Sequence, residues 1–273
     1  MPELPEVETT RRGLISHVCG RRVVSCLVIQ PALRWPVPAD FSSLVSGRVI
    51  QRIERRSKYL IFTLDNNKGF LWHLGMSGSL RLAKWDAPAR KHDHVVLTLE
   101  GGWVLRYHDP RRFGCLLWLK ALPMAHPLLD HLGPEPLGLD FTSDYLASKT
   151  VRRKAPIKNC IMNASTVVGV GNIYANEALF RARIHPKCAA GRLSKARLAG
   201  LVDAIKAVLG EAIEQGGTTL RDFVNGAGEP GYFSQHLFVY GRAGEPCTAC
   251  GALIRVMKLG QRSTFYCSAC QRG

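Results

Sequence analysis

At LGPEPLGLD, residues 132–140, the hydrophobic pattern of the chain changes period, and no other feature narrows the possible folds so much. Ahead of it lie short apolar runs, RVVSCLVIQ, RVIQRIERR, YLIFTLDN, GFLWHLGMSG, HVVLTLE, WVLRYHD and FGCLLWLK, divided by turn signals such as DNNKG and EGG. Such runs build an antiparallel sandwich or barrel. They follow an opening helix that reaches about Val18. Beyond residue 140 the apolar spacing turns helical, in TSDYLASKTV, KAPIKNCIM, IYANEALFRARI and SKARLAGLVDAIKAVLGEAIEQ. Two prolines and two glycines at the switch read as an interdomain hinge. The expected fold class is α+β, in two domains.

The tail, residues 242–273, is too small to hold a core of its own and needs a staple. It supplies one: Cys247, Cys250, Cys267 and Cys270 spell C-x2-C-x16-C-x2-C. Two thiolate knuckles at this spacing suit one tetrahedral, structural Zn2+ per chain. Between them RVMKLGQRSTFY predicts a β-hairpin with Arg262 near its tip, either reaching into a groove or simply solvated. The other five cysteines, Cys19, Cys26, Cys115, Cys160 and Cys188, stand among apolar neighbours and read as reduced thiols without chemistry.

Lysine and arginine number 37 against 21 acids, a formal net charge of +16. That balance favours a polyanionic partner, with nucleic acid first. There is no long apolar run, signal-peptide pattern or basic amphipathic anchor, so the chain is expected to be soluble and cytosolic.

The N-terminus carries candidate chemistry. Pro5, Glu6 and Glu8 in PELPEVET follow helix grammar, but Pro2 and Glu3 precede the helix. Loss of the initiator methionine leaves Pro2 as a secondary amine with a pKa of about 8, a ready nucleophile. GVGNIYANEALF, residues 169–180, is a poor dinucleotide fingerprint and a better glycine turn opening a helix. Such a turn offers Asn172 and backbone N–H groups to a phosphate, or merely caps the helix. In HDPRRFG an aromatic sits beside two arginines, which suits a wedge that fills the gap of a displaced base; Phe113 tucked into the core is an equal reading. HLGMSGSL presents Met76 in the same two ways, and Lys58 in RRSKYLIF reads by itself as a surface lysine.

Together these blocks, with LRWPV, KHDH, HLGPEPL, EQGGTTLRDF, GEPGYF and VYGR, resemble the bacterial formamidopyrimidine-DNA glycosylases from residue 2 to residue 270. The resemblance implies an N-terminal helix with a two-layer antiparallel β-sandwich, then a helix-two-turns-helix domain, then a zinc-finger hairpin. On that pattern residues 1–131 form the catalytic β-sandwich domain and 132–140 the hinge. Residues 141–241 form the DNA-binding helical domain and 242–273 the finger. It further implies a bacterial enzyme that acts as a monomer in the cytoplasm, at the nucleoid through DNA, on duplexes holding oxidised purines.

In the family the proline amine attacks the anomeric carbon and the base leaves; a Schiff base then allows β- and δ-elimination. Pro2 maps to that nucleophile, Glu3 to the proton donor at the sugar and Glu6 to a supporting carboxylate. Lys58 matches the proton donor of β-elimination. Arg262 matches the finger arginine of δ-elimination, where its high pKa suits a phosphate clamp better than an acid. His92, Arg111 and Arg153 match DNA contacts, while Lys158 and Asn172 match phosphate holders. Met76, Arg111 and Phe113 match the trio that fills the hole and faces the orphaned cytosine. Arg221 stands in the base-capping loop where some members carry lysine. Two other readings stay open here: an endonuclease VIII-like glycosylase for oxidised pyrimidines, and a non-enzymatic zinc DNA-binding protein.

Charge yields the first test. Affinity for damaged and undamaged duplex is expected to fall steeply with salt, by about 0.9 log units per log unit of salt for each phosphate contacted, in a fluorescence titration. A flat salt response excludes an electrostatic interface.

Overall fold

The computed structural model describes residues 2–120, 126–216 and 237–273. They divide into two compact units, the first holding the residues up to Asp130 together with Gly216 and the second those of 131–215 and 237–273.

The first unit opens with α1 (Leu4–Val18), then β1 (Val23–Val28), α2 (Phe41–Val45), β2 (Ile50–Arg56), β3 (Tyr59–Leu64) and β4 (Gly69–His73). It continues through β5 (Ser79–Lys84), β6 (Asp93–Leu99), β7 (Trp103–His108) and β8 (Cys115–Leu119) to the short α3 (Pro127–Asp130). The strands form two four-stranded antiparallel sheets, β1-β6-β7-β5 and β2-β3-β4-β8. One apolar core joins both sheets to α1, with Leu60, Phe62, Phe70 and Trp72 from one sheet, Leu82, Val95, Leu97 and Tyr107 from the other, and Val7, Leu14 and Val18 from the helix. This is the expected sandwich. Three elements of this unit, α2, β5 and α3, have no counterpart in the sequence reading. The helices α2 and α3 are single short turns, and β5 sets the charged Arg81 between Leu80 and Leu82. Arg81 is nevertheless buried, because its guanidinium donates to Asp93 Oδ2 at 2.8 Å. Asp93 also accepts from Arg90 N at 2.9 Å and lies 3.1 Å from His108 Nδ1, so the buried charge is well satisfied.

A second buried carboxylate ties α1 to the sheet. Glu8 accepts from Arg11 at 2.7 and 3.0 Å, from Arg12 at 3.1 Å and from Arg55 of β2 at 3.0 Å. Arg55 in turn donates to the carbonyl of Ser57 at 3.0 Å, in the β2–β3 turn. Burial works against the Glu8 charge, but the arginines overrule it and hold the carboxyl at about 2.

The second unit contains α4 (Ser143–Thr150), α5 (Ile157–Ile161), α6 (Asn172–Arg181), a 3₁₀ turn at Ala190–Arg192 and the long α7 (Lys195–Glu214). Helix starts follow the capping rule: Thr142 accepts from Tyr145 N at 3.1 Å and Ser194 from Arg197 N at 3.3 Å. The GVGN stretch is a helix-opening turn, with Gly169 at φ 77 and Gly171 at the cap of α6. Ala175, Ala178 and Leu179 of α6 share a core with Leu198, Leu201 and Ile205 of α7. Gly133 and Pro134 bond to Ala164 and Val168 within this unit. The tail is the expected hairpin, β9 (Ile254–Leu259) paired with β10 (Arg262–Cys267).

The scattered thiols are free, and burial pushes Cys26 up to about 11 and Cys115 up to about 12, which keeps them protonated and unreactive. Among the described residues no helix is long and apolar enough to cross a membrane.

Glu8 supports a stability test. Its carboxyl lies below the ordinary 4.5, so its contribution is full above that pH and fades as pH falls towards about 2. Glu8→Gln is expected to cost on the order of 2 kcal/mol at neutral pH in urea unfolding. Its loss of stability between pH 4.5 and about 2 should be shallower than that of the parent chain. Equal acid sensitivity in both rules out this role.

Candidate active site

Pro2 and Glu3 are buried, although they stand at the start of the described chain. Glu3 occupies the N-cap of α1, and its backbone N–H donates to Glu6 Oε2 at 2.7 Å. Thus Glu6 holds the backbone next to Pro2 in a fixed direction. Lys58 sits half-buried in the β2–β3 turn, behind Ser57 at φ 57, the turn that Arg55 ties back to Glu8. Burial, then the charges of Lys58 and Arg34, push the His73 imidazole down to about 4. It is therefore neutral, and its Nδ1 accepts from Gly75 N at 3.0 Å. Its ring lies 4.9 Å from that of Tyr59.

The loop before β5 and the loop before β8 decide between wedge and core. Met76 is 42% exposed and Phe113 44% exposed, and the Arg111 guanidinium lies 4.7 Å from the Phe113 ring centre. Neither side chain is tucked into the sandwich. His92, half-buried at φ 74, lies in the loop before β6.

In the second unit Arg153 is exposed, with its backbone bonded to Thr150 and Gly191. Lys158 is fully buried, and its Nζ donates to Asn172 Oδ1 at 2.6 Å, Thr264 Oγ1 at 2.7 Å and Ser263 O at 3.4 Å. Asn172 Nδ2 also donates to Ser263 O at 3.0 Å. Lys158 and Asn172 are thus brought onto the strand that begins with the exposed Arg262, and they strut the finger against α5 and α6. Arg221 lies outside the described residues, as do the EQGGTTLRDF and GEPGYF motifs beyond Gly216.

The ligand atoms of Cys247, Cys250, Cys267 and Cys270 all lie within 4.8 Å of one another. Two of the gaps are 3.9 Å (Cys247–Cys270) and 3.5 Å (Cys250–Cys267). Four thiolates about 2.3 Å from a central Zn2+ stand about 3.8 Å apart in a tetrahedron, so the four fit one zinc. All four ligands are protein, and the ion's part is structural.

Sequence reasoning missed several supporting residues. Asn176 Oδ1 accepts from Phe265 N of the hairpin at 3.0 Å, and Gln271 donates to Ile184 O at 2.9 Å. Glu177, 2% exposed, accepts the backbone N–H groups of Phe238, Val239 and Tyr240 at 2.9, 3.0 and 2.9 Å. The available signal was a polar pair, Asn176-Glu177, inside the apolar stripe of α6.

Family profiles match the chain in three blocks: the formamidopyrimidine-DNA glycosylase N-terminal domain over residues 1–116, the helix-two-turns-helix domain of the same enzyme over 132–224, and the zinc finger found in that enzyme and in IleRS over 244–273. The chain belongs to the formamidopyrimidine-DNA glycosylase family. It is 59% identical to the formamidopyrimidine-DNA glycosylase of Thioalkalivibrio sulfidiphilus and 56% identical to that of Methylococcus capsulatus, each over 100% of both chains. A Lactococcus lactis member, solved with DNA containing Fapy-dG, superposes with a TM-score of 0.91 at 34% identity over 100% of both chains. The Thermus thermophilus member superposes at 0.87 with 39% identity, over 99% of this chain and 98% of that one. The zinc finger found in formamidopyrimidine-DNA glycosylases is matched over 244–273, a span that contains all four cysteines suited to hold zinc.

Elemental analysis of protein purified without chelator is expected to find one zinc per chain. Stripping it, or changing Cys250 or Cys267 to alanine, should loosen the hairpin and cut DNA binding at least about tenfold, while the sandwich stays folded by circular dichroism. Metal-free protein that binds DNA normally counts against the finger.

Proposed function

We propose that this chain removes oxidised purines, 8-oxoguanine and formamidopyrimidines, from duplex DNA and then cuts the strand at the resulting site. The observation that carries this reading is the burial of Pro2 and Glu3, with Glu6 fastening the adjacent backbone. A chain end is normally loose. Anchoring one that bears a secondary amine and a carboxyl group serves attack on a carbon centre and has no use in a DNA binder.

In the proposed reaction the Pro2 nitrogen, freed by removal of methionine, bonds to the anomeric carbon as the bond to the base breaks. Glu3 protonates the sugar ring oxygen, the ring opens, and loss of the amine proton completes the iminium, which acidifies the neighbouring sugar C–H. Lys58 assists the β-elimination that follows, in which the 3′ phosphate leaves. Arg262 holds the 5′ phosphate during δ-elimination, as a fixed cation and not as an acid. Two eliminations leave a one-nucleotide gap flanked by phosphates.

DNA is held by His92, Arg111, Arg153 and Asn172. Lys158 acts by fixing Asn172 and the finger strand, since its amine already serves three protein oxygens. Exposed Met76 and Phe113, with Arg111, fill the space that the extruded nucleotide vacates. Residues 1–131 serve as catalytic domain, 132–140 as hinge, 141–241 as DNA-binding domain and 242–273 as finger. The enzyme works as a monomer in the bacterial cytoplasm, at the nucleoid through its DNA contacts.

Borohydride added during turnover of an 8-oxoguanine:cytosine duplex is expected to fix DNA covalently to the N-terminal peptide, with proline first in the mature chain by mass spectrometry. An extra residue ahead of Pro2 turns the amine into an amide and should abolish excision and trapping. Glu3→Gln should bind damaged duplex yet lose at least about a hundredfold in excision. Trapping that maps to Lys58 overturns the assignment.

A further inference from the structure

Two loops of the first unit each present an exposed apolar side chain: residues 74–78 between β4 and β5 carry Met76, and residues 109–114 between β7 and β8 carry Phe113. They lie against each other without slack. Gly75, at φ 66, has its backbone so close to Phe113 and Gly114 that no Cβ fits, and Gly114 is pressed in the same way against the Tyr107 hydroxyl.

At the junction sits Asp109, 0% exposed. Its Oδ1 accepts from Ser77 Oγ at 2.6 Å, which reaches the first loop. Its Oδ2 accepts from Gly114 N at 2.9 Å and Tyr107 OH at 2.9 Å, which holds the second loop to β7. Ser77 has one hydroxyl proton and gives it to Asp109, so the same oxygen is free to accept from Arg111 N at 3.2 Å. The Asp109 main chain extends the set, donating from its N–H to His92 O at 3.1 Å and accepting from Arg112 N at 3.1 Å. Among the described residues its carboxylate meets only neutral donors.

We propose that Asp109 is a positioning residue that locks the two loops into one insertion unit, fixing Met76 relative to Phe113 and aligning Arg111 beside them. It touches no substrate. The inference rests on the reading of Met76, Arg111 and Phe113 as the trio that replaces the extruded nucleotide, and it adds how that trio is kept ready. Two independent loops would lose conformational entropy on entering the duplex, whereas loops locked at folding have already met that cost. A carboxylate suits the task because it accepts only, and three donors converge on it. Burial and the Asp109 charge push the Tyr107 hydroxyl far above its ordinary range, so it remains a donor at every working pH. An asparagine must turn an amide N–H towards one of those donors, and a buried unmet donor is costly.

The test uses the full-length zinc-loaded enzyme and a duplex with 2-aminopurine beside 8-oxoguanine, read by stopped-flow fluorescence and single-turnover excision. A single-stranded abasic oligonucleotide serves as the control, since it has no stack to open. Ser77→Ala and Asp109→Asn are expected to slow both unstacking and excision by about tenfold or more, with cleavage of the single-stranded control changed less than about twofold. Ser77→Thr, which restores the hydroxyl, should recover most of the rate. Equal losses on duplex and single strand, or an unchanged unstacking rate, overturn the lock. If Asp109→Asn fails to fold, Ser77→Ala alone decides. Phe113→Ala run in parallel separates the two ideas: no effect there removes the wedge reading and the lock with it, whereas slowing there without slowing in Ser77→Ala removes the lock alone.

Discussion

A carboxylate taken out of water must be fully satisfied or it destabilises the fold, and the candidate functional parts of this protein hang from carboxylates that meet that condition. Glu8 collects Arg11, Arg12 and Arg55 and so joins the helix of Pro2 to the turn of Lys58. Asp93 pairs with Arg81 and lies 3.8 Å from Arg106, whose guanidinium holds the carbonyls of Ala87 and Pro88 in the loop that leads to His92. Asp109 gathers the loops of Met76 and Phe113, and Glu177 of α6 fastens the three consecutive backbone N–H groups of residues 238–240 ahead of the finger. Each is a point where desolvation makes one geometry far better than its neighbours.

The same constraint shapes the charge. The chain has only 21 acids against 37 lysines and arginines, and Glu3, Glu6, Glu8, Asp93, Asp109 and Glu177 are all buried. In the first unit the buried acids outnumber the buried cations Arg81 and Arg106, which leaves its exposed surface more cationic than the formal balance alone implies, whereas in the second unit Lys158 offsets Glu177. For a family with members solved on DNA, that division gives the buried acids other than Glu3 to architecture and the exposed cations to the phosphate backbone.

The finger depends on polar packing as well as metal. A hairpin of two six-residue strands has little core of its own, Ile254 and Cys267 with Val239 and Phe180. Zinc closes it from inside. Lys158, Asn172 and Asn176 then bond its second strand to α5 and α6, so that Arg262 starts from a braced strand. Burying a lysine amine there is tolerable because three oxygens replace its water.

From sequence alone, local grammar was readable wherever one residue type carries its own physics. Four cysteines at metal spacing predicted the finger, helical spacing of apolar residues marked the main helices of the second unit, and short apolar runs marked all the sandwich strands but β5. Pro2-Glu3 and the long motifs pointed to the family. What the sequence could not supply was any property that belongs to a pair of residues distant in the chain. Nothing local to β5 shows that Arg81 is buried, because its partner Asp93 lies twelve residues away, and Lys158 matches a phosphate holder in sequence whereas Thr264, 106 residues on, lies beside its amine in the fold. Phe113 was equally at home inside or outside until the fold left its ring 44% exposed beside the Arg111 guanidinium. Composition and spacing determine which groups are present and which elements they form. Only tertiary structure decides which buried charges meet, because that depends on desolvation at one point in space and not on distance along the chain.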